Sequence, residues 1–85
     1  MYKQIANEIA ETLEKKNHDY GDSFHKVYEK YGMLSTVIRL SDKIGRLETL
    51  LEADAQVDES IEDTLKDICG YCILTLKEVR SPRRG

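Results

Sequence analysis

Tryptophan is absent, phenylalanine occurs once, and the single proline is Pro82, close to the C-terminus. Five tyrosines supply nearly all the aromatic surface. A chain of 85 residues buries only roughly 60–65% of the surface its unfolded form exposes, so a core this poor in large side chains is thin. Cover from a second copy is therefore expected. No run approaches the ~20 consecutive apolar residues of a membrane span. The N-terminus lacks the charged, apolar and small-residue order of a signal peptide, and the expected location is the cytoplasm. Charge of one sign is not in large excess: the net charge is -3 with 34% charged residues. That mild acidity argues against a dedicated double-stranded nucleic-acid binder, which carries a basic surface.

Cysteine is also scarce. Cys69 and Cys72 form one CxxC with no second pair to complete a four-ligand zinc site. The pair falls deep inside an apolar helical segment rather than at a helix N-terminus, where a thiolate would be stabilised. It reads as two buried small hydrophobes.

What is present is helical periodicity. Tyr2, Ile5, Ile9 and Leu13 recur at spacings of three and four, predicting a helix from about Tyr2 to Lys16 that "NHDYG" ends. Asp22 or Ser23 can cap a short second helix through Phe24, Val27, Tyr28 and Tyr31. Gly32 suits the left-handed position that closes it. The third helix is expected over about Met33 to Glu52, with Met33, Val37, Leu40, Ile44, Leu47 and Leu51 in one apolar stripe. The fourth is expected from about Glu59 to Val79, after the polar connection "EADAQVDES", with Asp58 as cap. No segment alternates with period two for long enough to make a strand. The expected class is all-α, a small antiparallel bundle of about four helices. One domain takes residues 1–79, and residues 80–85 form a basic tail.

On a wheel of about 100° per residue, Ile61, Leu65, Ile68, Cys72, Leu76 and Val79 are expected to form the main core face of the fourth helix. "ICGYCILTL", Ile68 to Leu76, is apolar almost all round. A helix like that is covered on more than one face, and a second subunit is the expected cover. Glu59, Asp63 and Asp67 fall at steps of four on the opposite side, which continues into Gly70 and Leu74. Read plainly, these acids are a solvated face, with Glu59 serving the helix start. Read as chemistry, carboxylates one turn apart beside an apolar patch are a magnesium platform, because a hard cation prefers oxygen ligands. On the third helix Arg39, Asp42, Lys43 and Arg46 share one polar side. This is either an exposed face laced by an Asp42–Arg46 pair at the four-residue spacing, or a phosphate cradle. Arginine takes phosphate oxygens bidentately and lysine adds a mobile charge.

Three motifs in order, "DYGDSF", "IRLSDKIGRLETL" and "DESIEDTLKDICGYCILTL", resemble the nucleotide modification associated domain of phages and bacteria. The resemblance covers about Lys15 to Leu76. That domain is a distant relative of the all-α, MazG-like nucleoside triphosphate pyrophosphohydrolases. The resemblance implies functional weight at Tyr20, Gly21 and Asp22, then at Arg39, Asp42, Lys43 and Arg46, then at Glu59, Ser60, Asp63, Asp67 and Tyr71. It also implies a dimer or tetramer that binds nucleotides between helices. One departure bears on activity. The hydrolases carry EExxE on one helix and ExxD on the next, whereas here the first reads "RLSDKIGR" and the second offers Asp63 and Asp67 four apart. Fewer carboxylates mean less activation of water by magnesium.

These readings favour a module that holds a nucleotide, or a cyclic or otherwise nucleotide-derived signal, without turnover. Tyr20, Asp22, Arg39, Lys43, Arg46 and Tyr71 are then the binding residues, and Glu59, Asp63 and Asp67 the residues for a possible magnesium ion. The alternatives are a magnesium-dependent pyrophosphohydrolase and a purely structural helical oligomer.

Overall fold

The computed structural model describes the backbone of residues 1–20, 22–52 and 58–81, and the side chains of residues 1–18, 22–52 and 60–81. Among the described residues the fold is entirely helical: α1 (Tyr2–Tyr20), α2 (Ser23–Tyr31), α3 (Met33–Glu52) and α4 (Asp58–Arg80). α3 has the predicted limits. α1 carries on through "NHDY" to Tyr20 and so passes its expected end at Lys16. Nothing in that polar run is a helix breaker, since its worst members cost only about 0.7 kcal/mol each against alanine. α4 takes in Arg80, which the sequence reading gave to the tail. The rest of the basic tail, 82–85, lies outside the described residues.

The turns on either side of α2 follow from two residues that accept positive φ. Asp22 stands at the N-cap in the left-handed region (φ 62°, ψ 36°), which aspartate tolerates better than most residues. The expected side-chain cap is not formed there. A left-handed residue turns its side chain away from the geometry that a capping oxygen uses, which is extended backbone. Gly32 closes α2 at φ 68°, as expected, and its N–H donates to the Tyr28 carbonyl at 2.6 Å. Its own carbonyl then accepts from the Ser35 N–H and hydroxyl, at 3.0 and 2.7 Å, to start α3.

α3 and α4 form the main pair. From Thr36 through Lys43 to Arg46 along α3, the partners on α4 retreat from Thr75 through Asp67 to Thr64. The two helices are therefore antiparallel. α2 packs on both of them, and α1 packs on α4. The seam between α3 and α4 is small and polar. Ser35, Thr36, Thr64 and Thr75 are buried, Thr64 to 1% exposure. Thr64 and Thr75 each donate to the carbonyl four residues back, both at 2.7 Å, and the Thr36 and Thr75 hydroxyls meet at 2.9 Å. Hydroxyls satisfied in this way bury at little cost and let two helices approach closely.

Much of each apolar stripe points the other way, while Leu40, Leu47, Ile61 and Ile68 are half-buried. Met33, Val37, Ile44 and Leu51 on α3 are exposed, as are Leu65, Leu76 and Val79 on α4. Cys69 and Cys72 lie exposed on the same α4 stripe, which corrects their reading as buried hydrophobes. Periodicity located both stripes, and the α4 stripe, read as the main core face, is largely exposed in the protomer. The bundle instead closes on its hydroxyl-bearing sides. The large buried apolar side chains are Ile9 and Phe24, each 8% exposed. The second apolar patch of α4, Gly70 and Leu74, is the one that α1 covers: a Cβ built on Gly70 would lie 3.2 Å from Leu13 Cδ2.

α2 is pinned to the end of α4 by one charged contact. His25 Nδ1 donates to both carboxylate oxygens of Glu78, at 2.8 and 3.0 Å, and Glu78 is 9% exposed. The hydrogen bond to Glu78, then its charge, raise the His25 pKa above 6.5, with smaller contributions from Glu29 and Asp22. A folded-state pKa above the unfolded value stabilises fully below the unfolded value and is lost as pH rises through the folded one. Thermal stability should accordingly fall as pH is raised from about 6.5 through the raised His25 value. In Glu78→Gln that slope should flatten. Thermal melts across this window check it, and an unchanged slope in the variant would refute it.

Candidate functional site

The site begins at Phe24, the buried residue of α2. Its ring stacks on Tyr28 (centroids 6.3 Å apart, planes at 20°) and on Tyr71 of α4 (6.2 Å, 24°). Arg39 of α3 lays its guanidinium against this stack, with Cζ 5.3 Å from the Phe24 centroid and 5.5 Å from that of Tyr71. Ring faces attract a guanidinium, by about 0.5–1 kcal/mol at exposed sites and about 2 kcal/mol when desolvated. Three helices thus fix one cation, and among the described residues it lies against rings rather than a carboxylate.

Arg39 lines an open cleft of about 120 Å³ together with Lys16, Asp22, Phe24, Tyr71 and Leu74. A second, smaller space of about 80 Å³ lies between α1 and α4, lined by Ile9, Leu13, Gly70, Leu74, Lys66 and Asp67 among others. The two share Leu13, Lys16, Tyr71 and Leu74. Small-molecule sites combine apolar walls with a few polar groups.

Of the predicted binding residues, Asp22, Arg39 and Tyr71 come together in this cleft. Lys43 and Arg46 do not line it. The Lys43 ammonium pairs with Asp67 Oδ2 at 3.1 Å, and Arg46 Nε donates to Thr64 Oγ1 at 3.3 Å. The alternative in which Arg46 pairs with Asp42 along α3 gives way to this contact across the seam. Each cation lies one helical turn further from the cleft than the one before, so only Arg39 reaches it. The Tyr20 side chain lies outside the described residues.

Of the predicted metal residues, Asp67 is engaged by Lys43, Asp63 is exposed, and the Glu59 side chain lies outside the described residues. Among the described residues no three His, Cys, Asp or Glu side chains gather to hold a metal ion. The described donors alone do not make up a magnesium site. Lys66, next to Asp67, is occupied by Glu62 at 2.9 Å and Glu8 at 3.9 Å. The Glu62 hydrogen bond, then its charge, raise the lysine pKa.

Lys16 and Phe24 escaped the sequence reading. Lys16 follows Leu13 by three residues and falls on its face, but nothing in the sequence says that this face of α1 meets Arg39. Phe24, read only as part of the short second helix, is buried and forms the wall on which Arg39 rests.

No curated protein and no solved structure matches the chain. A family model, that of nucleotide modification associated domain 1, matches residues 16–79. The match starts at Lys16 and takes in Asp22, Phe24, Arg39 and Tyr71, so every polar group of the cleft falls within it. The chain belongs to the nucleotide modification associated domain 1 family.

Proposed function

We propose that the protein binds a nucleotide in the cleft beside Arg39 and holds it without turnover. The observation that carries this reading is the Arg39 guanidinium, stacked against Phe24 and Tyr71 in a space that Lys16 also lines. A stacked guanidinium has already lost much of its rotamer freedom, so less is lost when it meets a phosphate. Lys16 supplies the second charge. Lys43 and Lys66 are committed to Asp67 and Glu62 and support the helices instead. Phosphate takes arginine bidentately, and the neighbouring tyrosine and phenylalanine suit a flat ring.

Binding is favoured over MazG-like hydrolysis because the carboxylates that hydrolysis would need are few. Asp67 is neutralised by Lys43, and the helix that would carry paired glutamates carries Arg39, Lys43 and Arg46. A protein that sequesters a nucleotide-derived signal would have this character. The outward stripes of α3 and α4 support assembly with further copies, as a dimer or a dimer of dimers.

The test is a thermal-shift panel of nucleoside mono-, di- and triphosphates and cyclic dinucleotides, with and without magnesium. A ligand present at 100 times its Kd stabilises the fold by about 2.7 kcal/mol, and each kcal/mol raises Tm by roughly 4–8 °C in a domain of this size. The expected result is a shift with at least one nucleotide, which chromatography then recovers intact. Release of pyrophosphate would support the hydrolase instead. The absence of any shift would leave a structural oligomer.

A further inference from the structure

Resting on the reading that copies of the chain assemble on their outward stripes, we propose that two copies pair antiparallel along α4 and that Cys69 and Cys72 of both hold one zinc ion. Within one chain the CxxC stops at two ligands, and a closed zinc site takes four. A two-fold axis supplies the same two residues again. Both cysteines are free and exposed. They stand one turn apart in α4, where Leu65, Cys69, Cys72, Leu76 and Val79 follow one another at alternating steps of four and three. That repeat is the seam on which helices pair side by side. All five residues are exposed in the protomer. The intramolecular contacts of α4 use its other sides: Thr64 and Thr75 meet α3, Tyr71 and Glu78 meet α2, and Gly70 meets Leu13 of α1. The seam is left for a further helix.

Charge decides the direction. Glu62 lies exposed at the start of this face and Arg80 at its end. Glu62 also pairs with Lys66 along its own helix, a surface contact of the weak kind that leaves the carboxylate in reach of a second cation. Parallel copies would set Glu62 against Glu62 and Arg80 against Arg80. Antiparallel copies bring Glu62 of each to Arg80 of the other, which favours that direction. Leu65 then meets the partner's Leu76, and Cys69 meets the partner's Cys72, on both sides of the axis. Four sulfurs gather in two neighbouring layers of the seam, with a leucine pair closing each end against water. Thiolates are the ligands that zinc takes in closed tetrahedral sites. Each thiol gives up its proton on binding, so affinity falls as pH falls.

The experiment titrates the reduced, metal-free wild type with cobalt(II), a coloured stand-in for zinc, while sedimentation follows the mass. The expected result is a sulfur-to-cobalt charge-transfer band that saturates at one ion per two chains and is bleached by zinc. It should belong to a species of twice 9.8 kDa or a multiple of that. In Cys69→Ser and in Cys72→Ser the helicity should be kept and the band lost. The wild-type stoichiometry decides without either variant. An assembled protein that takes up no metal overturns the zinc site and leaves assembly standing. One ion per chain, carried by the monomer, overturns the shared site, and so does a band unchanged in both serine variants. A wild type that stays monomeric with and without zinc defeats the assembly reading and the site together.

Discussion

Leu76→Asp should break the assembly. Leu76 is 51% exposed in the protomer and makes no part of the α3–α4 seam. In a protein that works as a monomer, such a change would alter stability by no more than about 0.5 kcal/mol. If the outward stripe is covered by another copy, the new carboxylate is buried without a partner and costs several kcal/mol. Sedimentation of the variant should then show the 9.8 kDa chain alone, or its helicity should be lost, while the wild type sediments as a multiple of it. A variant that sediments and melts like the wild type would remove the α4 stripe from any interface. A wild type that is already monomeric at micromolar concentration would remove the interface altogether. Leu74, two residues earlier, is no substitute for this test. It lines the cleft under α1, so a charge there reports on the site.

The second large effect is expected at Arg39. Replacing it with alanine should weaken nucleotide binding by about 1.5–3 kcal/mol, the worth of a charge-assisted hydrogen bond. Lysine at the same position keeps the charge but loses the fork and the stacking, so its affinity should fall between the two. Arg46→Ala is the control. It removes a hydrogen bond to Thr64 outside the cleft, and nucleotide affinity should change by less than about 0.5 kcal/mol. Calorimetric titration of the three variants separates these outcomes. Equal losses at Arg39 and Arg46 would mean that the ligand lies along the whole polar side of α3. No loss at Arg39 would take the cleft out of the account.

The helices were legible in the sequence because period and turn chemistry are local. Gly32 is a good example, since its positive φ could be expected from its place after Tyr31 alone. The pairing of a cationic α3 with an acidic α4 was legible too, and Lys43–Asp67 realises it. What period could not say is which side of each helix faces inward. Val37 and Ile44 mark a stripe as surely as any core residues do, yet the bundle closes on Thr36, Thr64 and Thr75. A hydroxyl that bonds its own backbone behaves as a small spacer, and composition counts it as polar. The site was legible in part for a related reason. Asp22, Arg39 and Tyr71 carry recognisable chemistry. Lys16 reaches the cleft only through the packing of α1 on α4, and Phe24 only through its contact with a residue 15 positions away on another helix.

The most direct test of nucleotide binding at Arg39 is a titration followed by amide and arginine side-chain NMR resonances. Nucleotide is added to the wild-type protein at fixed pH. Binding in the cleft predicts that the signals of Lys16, Asp22, Phe24, Arg39 and Tyr71 move together on one saturating curve, with the Arg39 Nε–H among the largest shifts. Those of Arg46 and Leu51 should stay in place. A saturating curve carried by Arg46, or by Asp63 at the far end of α4, with Arg39 unmoved, would contradict it.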